Sequence, residues 1–136
     1  MDSGLWNRIR ESMGYNDEEM KIMMADPQRR KALEAGPLLV RRKIVGEVIH
    51  AKNCAAHQVG AKYVIRGNGV LRASDCKDNM CISLLAALES ACYTILDRLA
   101  EGDDPKGKFT RYIHCPDTGL NCGGFGEAIL KVTVEG

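Results

Sequence analysis

The chain has 136 residues, 45% apolar and 27% charged, an ordinary globular composition with room for one buried core and not for two. Nineteen basic residues against eighteen acidic ones leave a formal charge of +1, and aromatic residues make up only 5%. That is too little excess charge for a phosphate-neutralising surface and too few rings for a single-strand stacking groove, which excludes nucleic acid as the main partner. No run approaches the roughly 18 apolar residues of a membrane span, so no membrane partner is expected either.

Residues 1–37 read as a helical arm. Met1 to Arg10 carries charges but no apolar segment of the secretory kind, so a cytoplasmic chain with its six cysteines reduced is the expectation. Leu5, Trp6, Ile9 and Met13 sit at helical spacing, and Gly14 ends the run. Asn16 opens a second helix as N-cap, with Glu19 placed to complete a capping box and Asp17, Glu18 and Glu19 at the positive end of the dipole. Asp26-Pro27 starts a third helix and Gly36-Pro37 stops it. Met20, Ile22, Met23 and Met24, with Trp6, supply an apolar surface. It either packs on the rest of the chain or binds a partner.

Residues 38–136 read as the main domain, in which the hydrophobic period changes. Lys43 to His50 is β-branched and reads as a strand. Lys62–Ile65 and Val70–Arg72 flank Gly67-Asn68-Gly69, a hairpin signal because such turns require positive φ. Met80–Ala100 reads as the longest helix, with Cys81, Leu85, Leu88, Cys92, Ile95 and Leu99 on one face and Gly102 as the stop. Phe109–His114 and Glu127–Val134 are the last two strands, the latter alternating Ala128, Leu130, Val132 and Val134 with polar positions. The expected fold class is α+β: an N-terminal helical arm, then a small, mostly antiparallel sheet with one long helix packed on it.

The chemistry-bearing residues fall at strand ends and loops, where sites are usually built. They form three motifs: Cys54-Ala-Ala-His57, Cys76-Lys-Asp-Asn-Met-Cys81, and Cys115-Pro-Asp-Thr-Gly-Leu-Asn-Cys122 followed by Gly123-Gly124-Phe125-Gly126. Thiolates and imidazole are the ligands preferred by zinc and iron–sulfur iron, so Cys54, His57, Cys76, Cys81, Cys115 and Cys122 are the candidate metal ligands. The spacings match neither a zinc finger nor a ferredoxin run. Cys92, mid-helix on the apolar face, reads as core. With Asp78 as N-cap, Cys81 falls in the first helical turn, where the dipole favours thiolate. His57, at a chelating spacing from Cys54, is either a ligand or the base that activates a thiol, and Cys54 or Cys115 is the candidate nucleophile or ligand. His50 and His114 lie within strands. Gly123 and Gly124 let the backbone turn tightly and approach a cofactor. Asp117 reads equally as turn-former or acid.

From Lys43 to Val134 these elements resemble a family of small, largely uncharacterised Cys/His proteins of anaerobic bacteria. The shared features are a strand ending near Cys54-x-x-His57, then Val59-Gly60-Ala61-Lys62-Tyr63, a cysteine before the long helix (Cys76 or Cys81), and the turn Cys115-Pro-Asp117-Thr-Gly119. The arm, Cys81 and Cys122 go beyond that pattern. A more distant similarity is to the aminothiazoline-carboxylate hydrolase group, which also ends in cysteine-rich turns flanking strands.

Three functions compete. The first expected function is a small metal-binding protein, carrying zinc or an iron–sulfur cluster, that serves as a subunit or accessory of a larger anaerobic enzyme; the arm would dock it there or join it into a homo-oligomer. The alternative is a stand-alone enzyme that uses a Cys thiolate or a three-ligand metal site for hydrolysis, elimination or isomerisation. The third is an interaction module with incidental cysteines.

Overall fold

In the computed structural model, which describes residues 3–136, the long apolar period becomes one helix laid across a sheet. Met1 and Asp2, the first positions of the expected arm, lie outside the described residues. The helix, α5 (Ile82–Ala100), buries Leu84, Leu88, Ala91, Cys92, Ile95 and Leu99 along one side, while Leu85 sits half-buried at the rim. Gly102 ends it with a φ of 83°, a conformation only glycine adopts without strain.

Four antiparallel strands form the sheet: β1 (Lys43–Lys52), β2 (Lys62–Arg66), β3 (Thr110–His114) and β4 (Glu127–Glu135), in the order β2-β1-β4-β3. Alternation along β1 and β4 sends Ile44, Val48, Leu130 and Val132 towards α5, where they meet Leu88, Ile95 and Leu99 in one core. Each fully buried Leu or Ile contributes roughly 1.5–3 kcal/mol by leaving water. This is the α+β architecture the periodicity predicts.

The expected strand Val70–Arg72 is reduced to a single bridge between Leu71 and Ile65. The turn at Gly67-Asn68-Gly69 does form, with Gly69 at a φ of 86°. Just beyond it a 3₁₀ turn at Ala73–Asp75 carries Asp75 back to Arg66, which donates two hydrogen bonds to its carboxylate at 2.9 and 3.1 Å. That ion pair pulls the chain off the ladder after one paired residue. Gly67 is needed for a different reason: a Cβ there would stand 2.1 Å from the Leu39 carbonyl oxygen.

The arm is α1 (Ser3–Met13), α2 (Asp17–Ala25), α3 (Pro27–Glu34) and α4 (Gly36–Arg41). Asn16 and Glu19 close the capping box, and Asp26 caps α3 ahead of Pro27. The last helix, α4, was not expected. Gly36-Pro37 does end α3, but a proline in a first helical turn also starts a helix well, and the chain stays helical to Arg41. Both α3 and α4 pack on α5, and Trp6 and Ile9 of α1 are buried, so part of the arm's apolar surface is core.

At the sheet end where β1 starts and β4 finishes, polar groups close the structure. Arg42 pairs with Asp104 and donates to the Gly136 carbonyl, and Lys106 donates to the same oxygen. The guanidinium holds the Asp104 carboxyl down to a pKa of about 2.

Candidate functional site

The opposite end is open. A cavity of about 610 Å³ lies where β1 and β3 finish, β4 begins and α5 starts. Four of the six candidate metal ligands line it: Cys54, His57, Cys81 and Cys115. Distant loops therefore bring three thiols and an imidazole to the border of one cavity. Cys76 and Cys122 are not among the lining residues. Cys76 turns its sulfur towards the Val64 carbonyl at 3.8 Å and packs against the core, and Cys122 is exposed in a 3₁₀ turn at Leu120–Cys122. Among the described residues, no group of three or more His, Cys, Asp or Glu side chains stands in metal-holding geometry.

Backbone irregularities deliver each wall. A β-bulge between Val48 and His50 shifts the register of β1 against β4, which re-aims the strand end. Asn53 then takes a φ of 53°, a left-handed conformation that asparagine tolerates better than most side chains, and Cys54 follows. The carbonyl of Asn53 presses on Gly126, where a Cβ would come within 2.2 Å of it.

Asp117 organises the opposite wall. Its carboxylate accepts the backbone N–H groups of Gly119, Phe125 and Gly126 at 3.0, 2.9 and 3.1 Å. Those donors hold its pKa below the ordinary carboxylate value, Gly119 first. Asp117 is thus the turn-former. Gly124 lines the cavity next to it, and a Cβ there would strike the Asp117 carboxylate at 2.0 Å. Gly123 has a φ of 86°. Gly123 and Gly124 therefore serve the path of this loop, and only Gly124 borders the cavity.

His57 is the buried polar residue among those described, 5% exposed, and its ring stands edge-on to Tyr63. Its Nε2 accepts the backbone N–H of Cys81 at 3.1 Å, and its Nδ1 lies 3.5 Å from Cys54 Sγ. A backbone N–H can only donate, so Nε2 must carry the lone pair. The neutral ring therefore holds its proton on Nδ1, aimed at the Cys54 sulfur. Burial lowers the pKa of His57, which keeps the ring neutral. In this state His57 has no free lone pair for Cys54. It acts as a donor to Cys54 and an acceptor for Cys81, not as a base for either. His50 pairs with Glu127 at 3.2 Å, and His114 Nδ1 contacts the Cys115 carbonyl at 2.6 Å; neither ring lines the cavity.

Cys81 is itself the N-cap of α5, in the place the sequence assigned to Asp78. The sulfur makes no formal capping hydrogen bond, yet the N–H groups of Ser83 and Leu84 face it and lower its pKa, as the positive end of a helix does for a thiolate. On the same helix, burial pushes the Cys92 thiol up to about 11. Cys92 is core, as expected. Two residues at the site, Ser83 and Phe125, were not singled out from sequence. With Asp78 as the expected cap, nothing in the sequence marks Ser83. Phe125 does carry a signal, an aromatic residue set between glycines.

No protein-family model, curated protein or solved structure matches the chain.

Proposed function

We propose that the protein is a thiol-dependent enzyme of the reducing cytoplasm in which Cys81 is the nucleophile towards a small electrophilic substrate. One observation carries the reading: Cys81 caps the N-terminus of a 19-residue helix and borders a cavity that can admit a small molecule. The helix end stabilises the thiolate, and His57 holds the Cys81 backbone N–H, which orients the residue without taking its proton. In a hydrolysis, the Cys81 sulfur bonds to the acyl carbon while the leaving group departs with a proton from solvent. Water then cleaves the carbon–sulfur bond and returns the thiolate. Cys54, receiving the His57 Nδ1–H, and Cys115 complete the thiol lining.

The test is competitive labelling with iodoacetamide followed by peptide mapping. Cys81 is expected to react faster than the exposed Cys122, although it is itself only partly exposed. Equal, slow labelling of all six cysteines removes this reading.

A second reading, a zinc or iron–sulfur site, has one distance in its favour. Two atoms bound to a single tetrahedral zinc at ~2.0 and ~2.3 Å lie about 3.5 Å apart, and Cys54 Sγ and His57 Nδ1 stand 3.5 Å apart. Cys81 and Cys115 would be the further ligands. Binding through Nδ1 would move the ring proton to Nε2, against the Cys81 N–H, so the start of α5 would have to shift. In that reading the protein serves a larger anaerobic enzyme, docked or paired through the arm, whose Met13, Ile22 and Val40 are exposed. Metal and sulfide analysis of protein purified without oxygen separates the two. A stoichiometric metal establishes the second reading; metal-free protein with a fast Cys81 establishes the first.

A further inference from the structure

We propose that Phe125 is the specificity-determining residue of this site, and that the substrate carries a flat apolar group, an aromatic ring or its equivalent, beside its electrophilic centre. The inference rests on the thiol reading above and names its substrate class. A single exposed apolar side chain is ordinary on a protein surface; three observations make this one different. First, Phe125 is 84% exposed while it borders the cavity, whereas the chain's other phenylalanine, Phe109, is buried.

Second, the backbone that carries Phe125 is fixed. Its own N–H and that of Gly126 are both held by Asp117, and Gly124 and Gly126 leave no room for a Cβ. Phe125 is therefore presented at the cavity by a constrained loop, not left there by a slack one.

Third, no cationic side chain lines the cavity. Asp117 and Glu127 are the charged residues of its lining. The first is committed to three backbone donors and the second to His50. No lysine or arginine is among the lining residues to receive an anion. Beside the neutral polar Asn53, Ser83 and Thr118, the lining is mostly apolar, with Ala55, Ala56, Leu84, Pro116 and Ala128 sharing the cavity with the ring. An exposed ring beside an apolar lining binds a flat group by area and by stacking, which between aromatic rings adds about 0.5–1.5 kcal/mol beyond burial.

Two measurements test this. Cys81 is labelled with 4-nitrobenzyl bromide and, separately, with iodoacetamide, in the wild type and in Phe125→Ala and Phe125→Leu; in both reactions the thiolate displaces halide as the carbon–sulfur bond forms. The ratio of the nitrobenzyl rate to the iodoacetamide rate is expected to fall about tenfold in Phe125→Ala and less in Phe125→Leu. Benzyl alcohol, which forms no bond, is also titrated while the methyl resonances of Ala55 and Ala128 are followed. Its binding is expected to weaken about fivefold or more in Phe125→Ala. Because the side chain is exposed, neither variant removes core packing. A selective Cys81 with an unchanged ratio overturns the role of Phe125 and leaves the thiol reading standing. An unselective Cys81 overturns the thiol reading, and the benzyl alcohol titration then decides the role of Phe125 alone.

Discussion

The two ends of the α5-and-sheet layer are built from the same elements and finished in opposite ways. At the closed end, charged side chains pair with one another and with the carbonyl that follows β4: Arg42 with Asp104 and Gly136, Lys106 with Gly136, Arg98 with Asp103. At the open end, Asp117 and His57 bind backbone N–H groups. They shape the loops and leave three thiols facing a cavity. One end uses polar chemistry to lock the fold. The other uses it to hold an opening in place, which is how a site differs from a seam. The contrast repeats within α5, where Cys81 at the helix start is pulled towards thiolate and Cys92 in the core is pushed to about 11.

The largest expected effect is kinetic. A thiol pushed up to about 11 by burial is thiolate at neutral pH about a hundredfold less often than an ordinary one, and burial blocks access as well. Labelling of Cys81 should exceed that of Cys92 by at least this factor in native protein, and denaturant should abolish the difference. Comparable native rates would mean that the ends are not distinct. Next, Leu88→Ala removes a side chain that is 1% exposed, between helix and sheet. It should cost about 2–5 kcal/mol and loosen both ends together in a denaturant titration monitored at each.

Removing His57 strikes the open end alone. His57→Ala leaves the Cys81 N–H without its acceptor and should cost about 1–3 kcal/mol, with faster amide exchange at Cys81 and little change around Asp104. The pH dependence has a definite sign. Burial depresses the His57 pKa below its usual 6.5, so the unfolded chain binds the proton first. The stability His57 contributes is complete above about pH 6.5, declines as the pH falls below that value, and is gone once the folded-state pKa has been passed. Denaturant midpoints across pH 4 to 8 should show this slope in the wild type and lose it in His57→Ala.

The smallest effect separates the two carboxylates. Asp104, held at about 2, and Asp117, also lowered, each contribute stability above the ordinary carboxylate range that is lost as the pH falls through the folded-state value. Asp104→Asn should flatten the acid limb of stability without changing Cys81 labelling. Asp117→Asn should alter labelling, because the loop carrying Phe125 depends on it. Equal effects of the two substitutions on labelling would contradict the division of the molecule.

Much of this could be read from the chain, because much of it is local. The capping box at Asn16 and Glu19, the Asp26-Pro27 start, the Gly102 stop and the alternation in β4 all depend on neighbours a few residues apart, and all are present. The preference for His57 over His50 and His114 rested on its spacing from Cys54, and His57 is the ring at the cavity. What sequence could not show depends on distant partners. Asp78 is the better intrinsic N-cap, but the Tyr63 hydroxyl donates to the Asn79 carbonyl at 2.8 Å and His57 accepts the Cys81 N–H. Both bonds hold the chain out of helical form until Cys81. Likewise Cys76 and Cys81 lie close in sequence, yet Cys76 turns towards β2 and Cys81 towards the cavity. Spacing limits what two side chains can reach; the loop between them decides what they do reach.

The most direct measurement is a titration of thiolate absorbance in the native protein and in Cys81→Ser. The wild type should show a first ionisation below the ordinary thiol range, and that step should be missing from Cys81→Ser while the later ones remain. If the early step survives the substitution, or never occurs in the wild type, Cys81 is not the activated thiol and the open end is not the site proposed for it.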